Sequence, residues 1–186
     1  MTGRLETERL VLRPLAPEDA PAIQRHFPHW EIVQYLTTEV PWPYPEDGAR
    51  QFIENVVLPR VAKGEDWIWG IVLKEAGDDA PVGVIHIRKS SKEGNRGFWL
   101  AREYHGRGYM TEAVNAVNDY VFDVLKFEKL IIKNAKQNAG SRRVKEKTGA
   151  VLVRVDGDSS YHGGFEESEV WELTRESWQK AKNAAN

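Results

Sequence analysis

The feature that most constrains the fold is an ordered series of elements in the middle of the chain. Three runs that alternate apolar and polar residues are separated by the turn-rich stretches EAGDDAP and SSKEGN, which predicts an antiparallel meander. A Gly-x-Gly turn follows, and then apolar residues recur at helical spacing, which predicts a long amphipathic helix. The predicted elements are strands over 67–74, 82–89 and 94–101 and a helix over 109–125.

The turn between the third strand and the helix is His105-Gly106-Arg107-Gly108. Both glycines can take positive φ, which lets backbone N–H groups converge on one site at the positive end of the helix dipole. Such a site binds phosphate or pyrophosphate. A lone Gly-x-Gly is equally compatible with an ordinary strand-to-helix turn. The chain has no Gly-Lys-Ser/Thr after it, which excludes a P-loop, and no third glycine, which disfavours a dinucleotide fingerprint.

The flanking sequence predicts a mixed α/β domain around one central sheet. Residues 28–45 hold four prolines among tryptophan and tyrosine side chains, so no long regular element is expected there. Pro59 should bend or shorten a helix over 46–63. No linker or repeat divides the chain, so we expect one domain over 1–186. The other predicted elements are strands over 9–15, 129–135, 150–156 and 169–174 and helices that begin at Pro17 and Ser141.

Composition excludes several classes of site. The chain has no cysteine, so disulfides, thiolate metal sites and a thiol nucleophile are all excluded. Its net charge is −2 with both signs scattered, which disfavours a nucleic-acid partner. Five histidines lack metal-ligand spacing, so no metal is expected. No signal peptide or long apolar run is apparent, which predicts a cytoplasmic protein without a membrane partner.

Glu103-Tyr104-His105-Gly106-Arg107-Gly108 resembles the Q/R-x-x-G-x-G/A loop of the GNAT (GCN5-related) N-acetyltransferase superfamily. It is especially similar to the branch of the ribosomal-protein alanine N-acetyltransferases. Three further segments fit that branch in order: LETERLVLRPLAPEDA at the start, RGFWLA before the loop, and the Asn138 to Gly149 segment after the next strand. Together the matches span nearly the whole chain.

The resemblance implies a GNAT-like α/β (α+β) domain whose sheet of about seven strands is splayed at the coenzyme site and flanked by helices. Acetyl-CoA would lie in that opening as co-substrate, with its pantetheine arm added like a strand. The backbone from His105 to Thr111 would hold the pyrophosphate, and a backbone N–H near Leu100 would stabilise the oxyanion. The implied coenzyme-binding residues are Leu100, His105, Gly106, Arg107, Gly108, Tyr109, Met110, Thr111, Asn134, Asn138 and Ser141. Candidates for the ribose phosphate are Arg102, Arg107, Arg142, Arg143 and Lys145.

Two catalytic residues are predicted. Ser141 occupies the position of a serine that would protonate the leaving thiolate in similar enzymes, although a helix N-cap role is equally compatible. The tyrosine that many members place four residues later is replaced by Lys145. Many members also carry a strand glutamate where this chain has Asn95, which cannot take a proton. His86 is therefore a candidate base, with a packing role as its alternative.

Tyr161, His162 and Glu167 are weaker candidates for the same task. Substrate selection is assigned to the aromatic segment through Trp30, Tyr35, Trp42 and Tyr44, together with the loop over 161–166. An equal alternative for this segment is a packed aromatic minicore. The resemblance leaves the acceptor undetermined between a protein N-terminal α-amine and a small-molecule amine.

Three functions stay open from the sequence. The leading hypothesis is direct acetyl transfer from acetyl-CoA to a primary amine. The second is a catalytically weak acyl-CoA-binding or regulatory module, which Asn95 and the missing tyrosine suggest. The third is a site for another phosphorylated ligand. A homodimer is possible, since dimers are common among similar proteins.

Overall fold

The computed structural model describes residues 2–90 and 94–185. Its strands are β1 (Leu5–Glu6), β2 (Leu10–Pro14), β3 (Asp66–Leu73), β4 (Gly83–Arg88), β5 (Arg96–Leu100), β6 (Lys129–Ala135), β7 (Val151–Asp156) and β8 (Ser168–Thr174). Its α-helices are α1 (Ala20–His26), α2 (Trp30–Val33), α3 (Gly48–Phe52), α4 (Leu58–Ala62), α5 (Tyr109–Asp119), α6 (Ala139–Lys147) and α7 (Arg175–Ala185). The elements therefore follow the order that the hydrophobic pattern predicts.

The strands form two antiparallel sheets, with the orders β1-β2-β3-β4-β5 and β6-β8-β7. The sequence predicts one mixed sheet of about seven strands; eight are observed because the two-residue β1 pairs with β2. The two sheets touch at an isolated antiparallel bridge between Gly94 and Ile132, just before β5. Beyond that bridge β5 and β6 separate, so the sheet is open where the resemblance places the coenzyme. The predicted fold class is confirmed.

Apolar side chains cover both faces of the five-stranded sheet. On one face, Trp69 and Ile85 pack with Val114 and Val117 of α5, and all four side chains are fully buried. On the other face, Ile68 and Val84 pack with residues of α1 and α3. This alternation follows from the two-residue period of a strand, which turns successive side chains to opposite faces. Because both faces of this sheet are buried, the strand register is fixed, and with it the positions of the side chains that form the site.

The helix predicted over 46–63 does not stop at Pro59. The α-helical segments α3 and α4 are joined by a π-helical segment over Ile53–Val57, and Pro59 is the second residue of α4. Since proline has no N–H to donate, the wider turn accommodates the missing bond without ending the helix. In the proline-rich stretch over 28–45 the sequence analysis missed one element, the short helix α2.

No helix in the described ranges is long and apolar enough to cross a membrane. Even α5 together with the π-helical segment Tyr120–Val124 that continues it has 11 plus 5, or 16, residues, whereas a span needs about 20. Within the same ranges, no cluster of three His, Asp or Glu side chains has a metal-binding arrangement.

Candidate active site

Two cavities meet at strand β5. The α5 cavity, of about 660 Å³, lies between the start of α5 and the start of α6. The His86 cavity, of about 850 Å³, lies on the face of the five-stranded sheet that carries His86. Both are lined by Tyr35, Leu36, Phe98 and Trp99. A group held in one cavity can therefore reach a group held in the other along β5.

The glycine loop presents backbone donors to the α5 cavity. Gly106 and Gly108 have φ of +76° and +82°, the left-handed values predicted for them. The amide of Glu112 makes the first helical bond, to the Gly108 carbonyl at 3.0 Å, so the amides of residues 109–111 precede it without helical partners. The His105 amide instead donates to the Arg102 carbonyl at 3.0 Å. The His105 amide is therefore not available to a ligand as predicted, because it closes a 3₁₀ turn.

A salt bridge from the N-terminal strand region fixes the loop. Arg9 binds the Glu112 carboxylate at 2.7 Å and donates from Nη1 to the Arg107 carbonyl at 3.1 Å. The Thr7 hydroxyl donates to the same carboxylate at 2.6 Å. Burial acts to raise the pKa of Glu112, but these hydrogen bonds outweigh it and lower that pKa. Sequence analysis missed Arg9, for which the available signal was Glu112 in the first turn of α5.

The outer edge of β5 is free for hydrogen bonds across the opening. Ala101 donates to Val82 at 2.8 Å and Asn95 accepts from Arg88 at 2.7 Å, so odd-numbered residues of β5 face β4. Since backbone groups alternate, those of Phe98 and Leu100 point away from β4 towards the α5 cavity. The Leu100 carbonyl accepts from Nε2 of His105 at 2.8 Å. The Leu100 amide, which is the predicted oxyanion donor, therefore points away from β4, and the His105 ring anchors the loop.

Asn95 holds the two sheets together at the base of the opening. Its amide donates to the Ile131 carbonyl at 2.6 Å, and its Oδ1 accepts from the Ile131 amide at 2.8 Å. Its Nδ2 donates to the Arg88 carbonyl at 3.0 Å. The residue that stands in place of the usual glutamate is therefore a structural joint between β5 and β6.

The start of α6 places Ser141 on the α5 cavity. Asn138 is the N-cap residue, since its Oδ1 accepts from the Ser141 amide at 3.0 Å. The N-cap alternative for Ser141 is therefore wrong, because the side chain three residues earlier already fills that role. The Ser141 hydroxyl accepts from Nζ of Lys145 at 2.6 Å. Asn138 and Ser141 both line the α5 cavity, as predicted.

Asn134 lies elsewhere than the resemblance implies. It lines the His86 cavity and not the α5 cavity. Its Nδ2 donates to the Ala135 carbonyl at 2.8 Å and to Glu169 at 3.0 Å, while its buried Oδ1 has no partner among the described residues. The register of β6 turns this side chain towards the His86 cavity.

The five candidates for the ribose phosphate lie in different environments. Arg142 is bound to Glu169, and Lys145 is buried, so neither reaches the α5 cavity. Arg102 and Arg143 line the cavity, and Lys147, which the sequence analysis did not single out, lines it too. The remaining candidate, Arg107, lies over the Tyr104 ring at 5.9 Å.

His86 lies at the centre of a buried hydrogen-bond network on the floor of its cavity. Its Nε2 is 2.7 Å from Oδ2 of Asp66, whose side chain is 0% exposed. Arg60 binds both oxygens of the same carboxylate, at 2.6 and 2.9 Å. With Nε2 donating to the carboxylate, Nδ1 is left as the acceptor nitrogen of the ring. Asp66 and Arg60 were missed, since neither lies near His86 in sequence.

Burial sets the charge state of this network. Burial lowers the pKa of His86, and the hydrogen bond to Asp66 opposes that shift without cancelling it. Burial acts in the opposite sense on Asp66, but the hydrogen bonds from His86 and Arg60 outweigh it and hold the pKa of the carboxyl well below its usual range. At neutral pH the pair is therefore a neutral imidazole on a carboxylate, an arrangement that can accept a proton.

The four predicted substrate-binding aromatics divide between two places. Tyr35 and Tyr44 line the His86 cavity, and burial raises the pKa of Tyr44 to about 12. Trp30 and Trp42 pack against each other, with ring centroids 5.9 Å apart, and line neither cavity. The aromatic segment thus combines both alternatives: part of it forms a cavity wall, and part is a surface cluster.

The weaker candidates in the late loop have structural contacts. Tyr161 lines the His86 cavity, and its hydroxyl is 2.5 Å from Oγ of Ser168. His162 donates from Nε2 to the Val40 carbonyl at 2.7 Å, and Glu167 binds Lys136 at 2.9 Å. These contacts join the late loop to the start of β8, to the aromatic segment and to the residue after β6.

Comparisons with known proteins were consistent with this geometry. Residues 9–151 match the family model of the acetyltransferase (GNAT) domain. The chain is 34% identical over 110 residues to a Bacillus subtilis (strain 168) protein named "Probable N-acetyltransferase YjcK". That match covers 57% of this chain and 59% of the relative, less than two thirds of its length.

Two solved structures share the fold. RimJ of Mycobacterium smegmatis in complex with CoA-disulfide has a TM-score of 0.80 at 18% identity, covering 98% of this chain and 93% of that one. The ribosomal-protein-S5-alanine acetyltransferase of Vibrio fischeri has a TM-score of 0.79 at 18% identity, covering 95% and 98%. At these identities the likeness concerns the fold.

Proposed function

The chain belongs to the GNAT acetyltransferase family, and from that premise we propose that it transfers an acetyl group from acetyl-CoA directly to a primary amine. The observation that carries the proposal is the meeting of two cavities at β5. One offers backbone donors to a diphosphate, and the other offers a neutral histidine that can accept a proton. Direct transfer needs both within reach of the same atoms.

The α5 cavity fits acetyl-CoA in its chemistry. The amides at the start of α5 and the positive end of its dipole favour the diphosphate. The backbone groups of Phe98 suit an amide of a pantetheine arm, which would extend β5 like an added strand. Arg143 and Lys147 supply positive charge on the cavity wall, whereas Arg102 is paired with Glu31 of the same wall at 2.6 Å. When bound, acetyl-CoA supplies an acetyl group activated as a thioester.

His86 is assigned as the general base. A lysine-like amine has a pKa near 10.4 and an α-amino group near 7.7 to 8.0, so both are mostly protonated at neutral pH. His86 Nδ1 would take the proton that the amine must lose before it attacks. Asp66 fixes the tautomer and stabilises the imidazolium that forms, and Arg60 fixes Asp66. Asn95 is not needed as a base under this assignment.

Residues of β5 and α6 would stabilise the oxyanion and protonate the leaving sulfur. The Leu100 amide, held in the outer edge of β5, would donate to the oxyanion that forms at the acetyl carbonyl. Ser141, on the opposite wall of the same cavity, would donate its hydroxyl proton to the departing sulfur. The products are an acetamide and free CoA.

The acceptor class follows from the same amine chemistry. An α-amino group is more often neutral at pH 7 than a lysine side chain, so a base such as His86, with a lowered pKa, deprotonates it more readily. The His86 cavity is walled by Tyr35, Tyr44, Phe98 and Trp99, which suits an amine carried on an apolar or peptide group. We therefore favour a protein N-terminus over a small-molecule amine, in keeping with the ribosomal acetyltransferase names among the structural neighbours.

The test has two stages. Calorimetry with acetyl-CoA should give binding in the micromolar range. A screen that measures CoA release across peptide N-termini and small amines should then identify acceptors, with peptides favoured. Binding without turnover for any amine would instead support the acyl-CoA-binding module. Greater thermal stabilisation by nucleoside diphosphates than by CoA would support another phosphorylated ligand.

A further inference from the structure

Lys145 is a buried amine beside the α5 cavity. It is 1% exposed on the inner face of α6, and it lines neither cavity. Lysine is rarely buried so completely without a specific partner. The partner here is Ser141, whose Oγ accepts from Lys145 Nζ at 2.6 Å.

The direction of this hydrogen bond determines what Ser141 can do. A serine hydroxyl has one hydrogen and two lone pairs. Because Lys145 donates to Oγ, the hydroxyl hydrogen is not used towards Lys145, and Ser141 can donate it into the α5 cavity that it lines. The two side chains therefore form a path for a proton from the interior of the protein to the cavity.

The groups around Lys145 favour release of a proton. Burial, and next the positive charge of Arg96, lower the pKa of Lys145 well below its usual range, while Glu169 opposes the shift. Arg96 on β5 is 2% exposed and donates to Asn118 at 2.9 Å. Glu169 on β8 is already bound by Arg142. The ring of Phe98 lies 5.8 Å from Nζ.

We propose that Lys145 is a positioning residue that orients Ser141 and restores its proton, so that the pair delivers a proton to the leaving sulfur of CoA. This inference rests on the proposed function. As the carbon–sulfur bond breaks, the sulfur takes the hydroxyl proton of Ser141 and becomes a thiol. Oγ takes a proton from the Lys145 ammonium, which becomes a neutral amine. After the products leave, water in the α5 cavity gives a proton to Ser141, which passes its own hydroxyl proton to the Lys145 amine.

The first test measures the ionisation of the bound CoA thiol and does not depend on turnover. The chain has no cysteine, so bound CoA contributes the only thiol of the complex, and its ionisation can be followed by thiolate absorbance against the complex with desulfo-CoA. Donors that point at a thiolate lower the pKa of the thiol. Lys145→Met and Ser141→Ala should each raise the pKa of bound CoA by about one unit. Lys180→Met, on the exposed side of α7, is the matched control and should leave it unchanged.

The second test reads the path by kinetics. Lys145→Met should lower kcat by about 100-fold, the lower end of the range for loss of general acid–base catalysis, with KM for acetyl-CoA within about twofold. The double variant with Ser141→Ala should be no slower than Ser141→Ala alone, because both changes interrupt one path. Wild-type kcat should fall as pH rises through the pKa of Lys145, and this limb should disappear in both single variants.

The outcomes separate the relay from the function. An unshifted CoA thiol in both variants, or effects that multiply in the double variant, would overturn the relay while the enzyme remained active. Absence of CoA binding to wild type would overturn the proposed function and the relay with it. If Lys145→Met does not fold, Ser141→Ala and Ser141→Thr decide: the relay requires that alanine raises the thiol pKa and that threonine, which keeps the hydroxyl, does not.

Discussion

The two cavities that meet at β5 are built from different parts of the chain. The donors of the α5 cavity are mainly backbone groups from one continuous segment, the glycine loop and the first turn of α5. The floor of the His86 cavity is a network of side chains from α4, β3 and β4. A substitution in the first should alter backbone geometry, whereas a substitution in the second should alter proton transfer. Binding of acetyl-CoA and catalysis are therefore expected to respond separately.

The largest difference between the effect on catalysis and the effect on acetyl-CoA binding is expected from His86→Gln. Glutamine can still donate to Asp66 but cannot act as a base, so kcat should fall by about 100-fold or more, as for loss of a general base. The dissociation constant of acetyl-CoA, measured by calorimetry, should stay within about twofold of wild type, since His86 lines the other cavity. His29→Gln is the control, because His29 lines neither cavity. An active His86→Gln enzyme would remove His86 from the mechanism.

The opposite pattern is expected from Gly108→Ala. Its φ of +82° costs an alanine about 1 to 2 kcal/mol, so the loop should shift and acetyl-CoA should bind about tenfold more weakly. At saturating acetyl-CoA, kcat should change less than the binding constant does. Gly157→Ala is the matched control, since nothing lies within 4 Å of a Cβ added there. Equal binding by both variants would refute the role of the loop.

The pH dependence should sharpen the assignment of the base. The neutral form of His86 is the active one, so kcat/KM should rise as pH rises through the pKa of His86, which burial places below the usual value near 6.5. The hydrogen bond to Asp66 opposes that shift, so Asp66→Asn should move the rising limb to lower pH. A limb that stays in place would mean that another group titrates. The comparison is made from full pH profiles of both proteins.

The smallest effect on catalysis is expected from Asn95→Ala. This change removes the side-chain bonds that join Ile131 and Arg88, so stability should fall by about 1 to 2 kcal/mol in urea unfolding. Turnover of the folded protein should change by only a few fold, because Asn95 is a joint and not a base. Lys89→Ala, an exposed neighbour, is the control. A large loss of kcat without loss of stability would contradict this assignment.

Stability should also depend on pH through Asp66. Its pKa is lower in the folded chain than in the unfolded chain, so it stabilises the fold above the unfolded value near 3.9. That contribution is lost as pH falls through the folded pKa. Acid unfolding of Asp66→Asn, measured by circular dichroism, should therefore lack this component. An identical acid transition in both proteins would exclude Asp66 as its source.

The fold and the glycine loop were predictable because both depend on local pattern. Strand alternation, helical spacing and two glycines before a helix predict the meander, α5 and the amides that end at Thr111. Pro59 did not end the helix, because a π-helical segment leads into α4. The N-cap alternative for Ser141 was wrong, since Asn138 and Ser141 are both common cap residues and only the observed hydrogen bond distinguishes them.

By itself the sequence determined the order of elements, the position of the glycine loop and the absence of a thiol nucleophile. Only the tertiary structure decided that His86 meets Asp66 and Arg60, that Asn95 joins two sheets and that Lys145 lies behind Ser141. The reason is physical. A backbone site is specified by the conformations of consecutive residues, whereas a side-chain site depends on strand register and helix packing, which bring distant residues within hydrogen-bond distance.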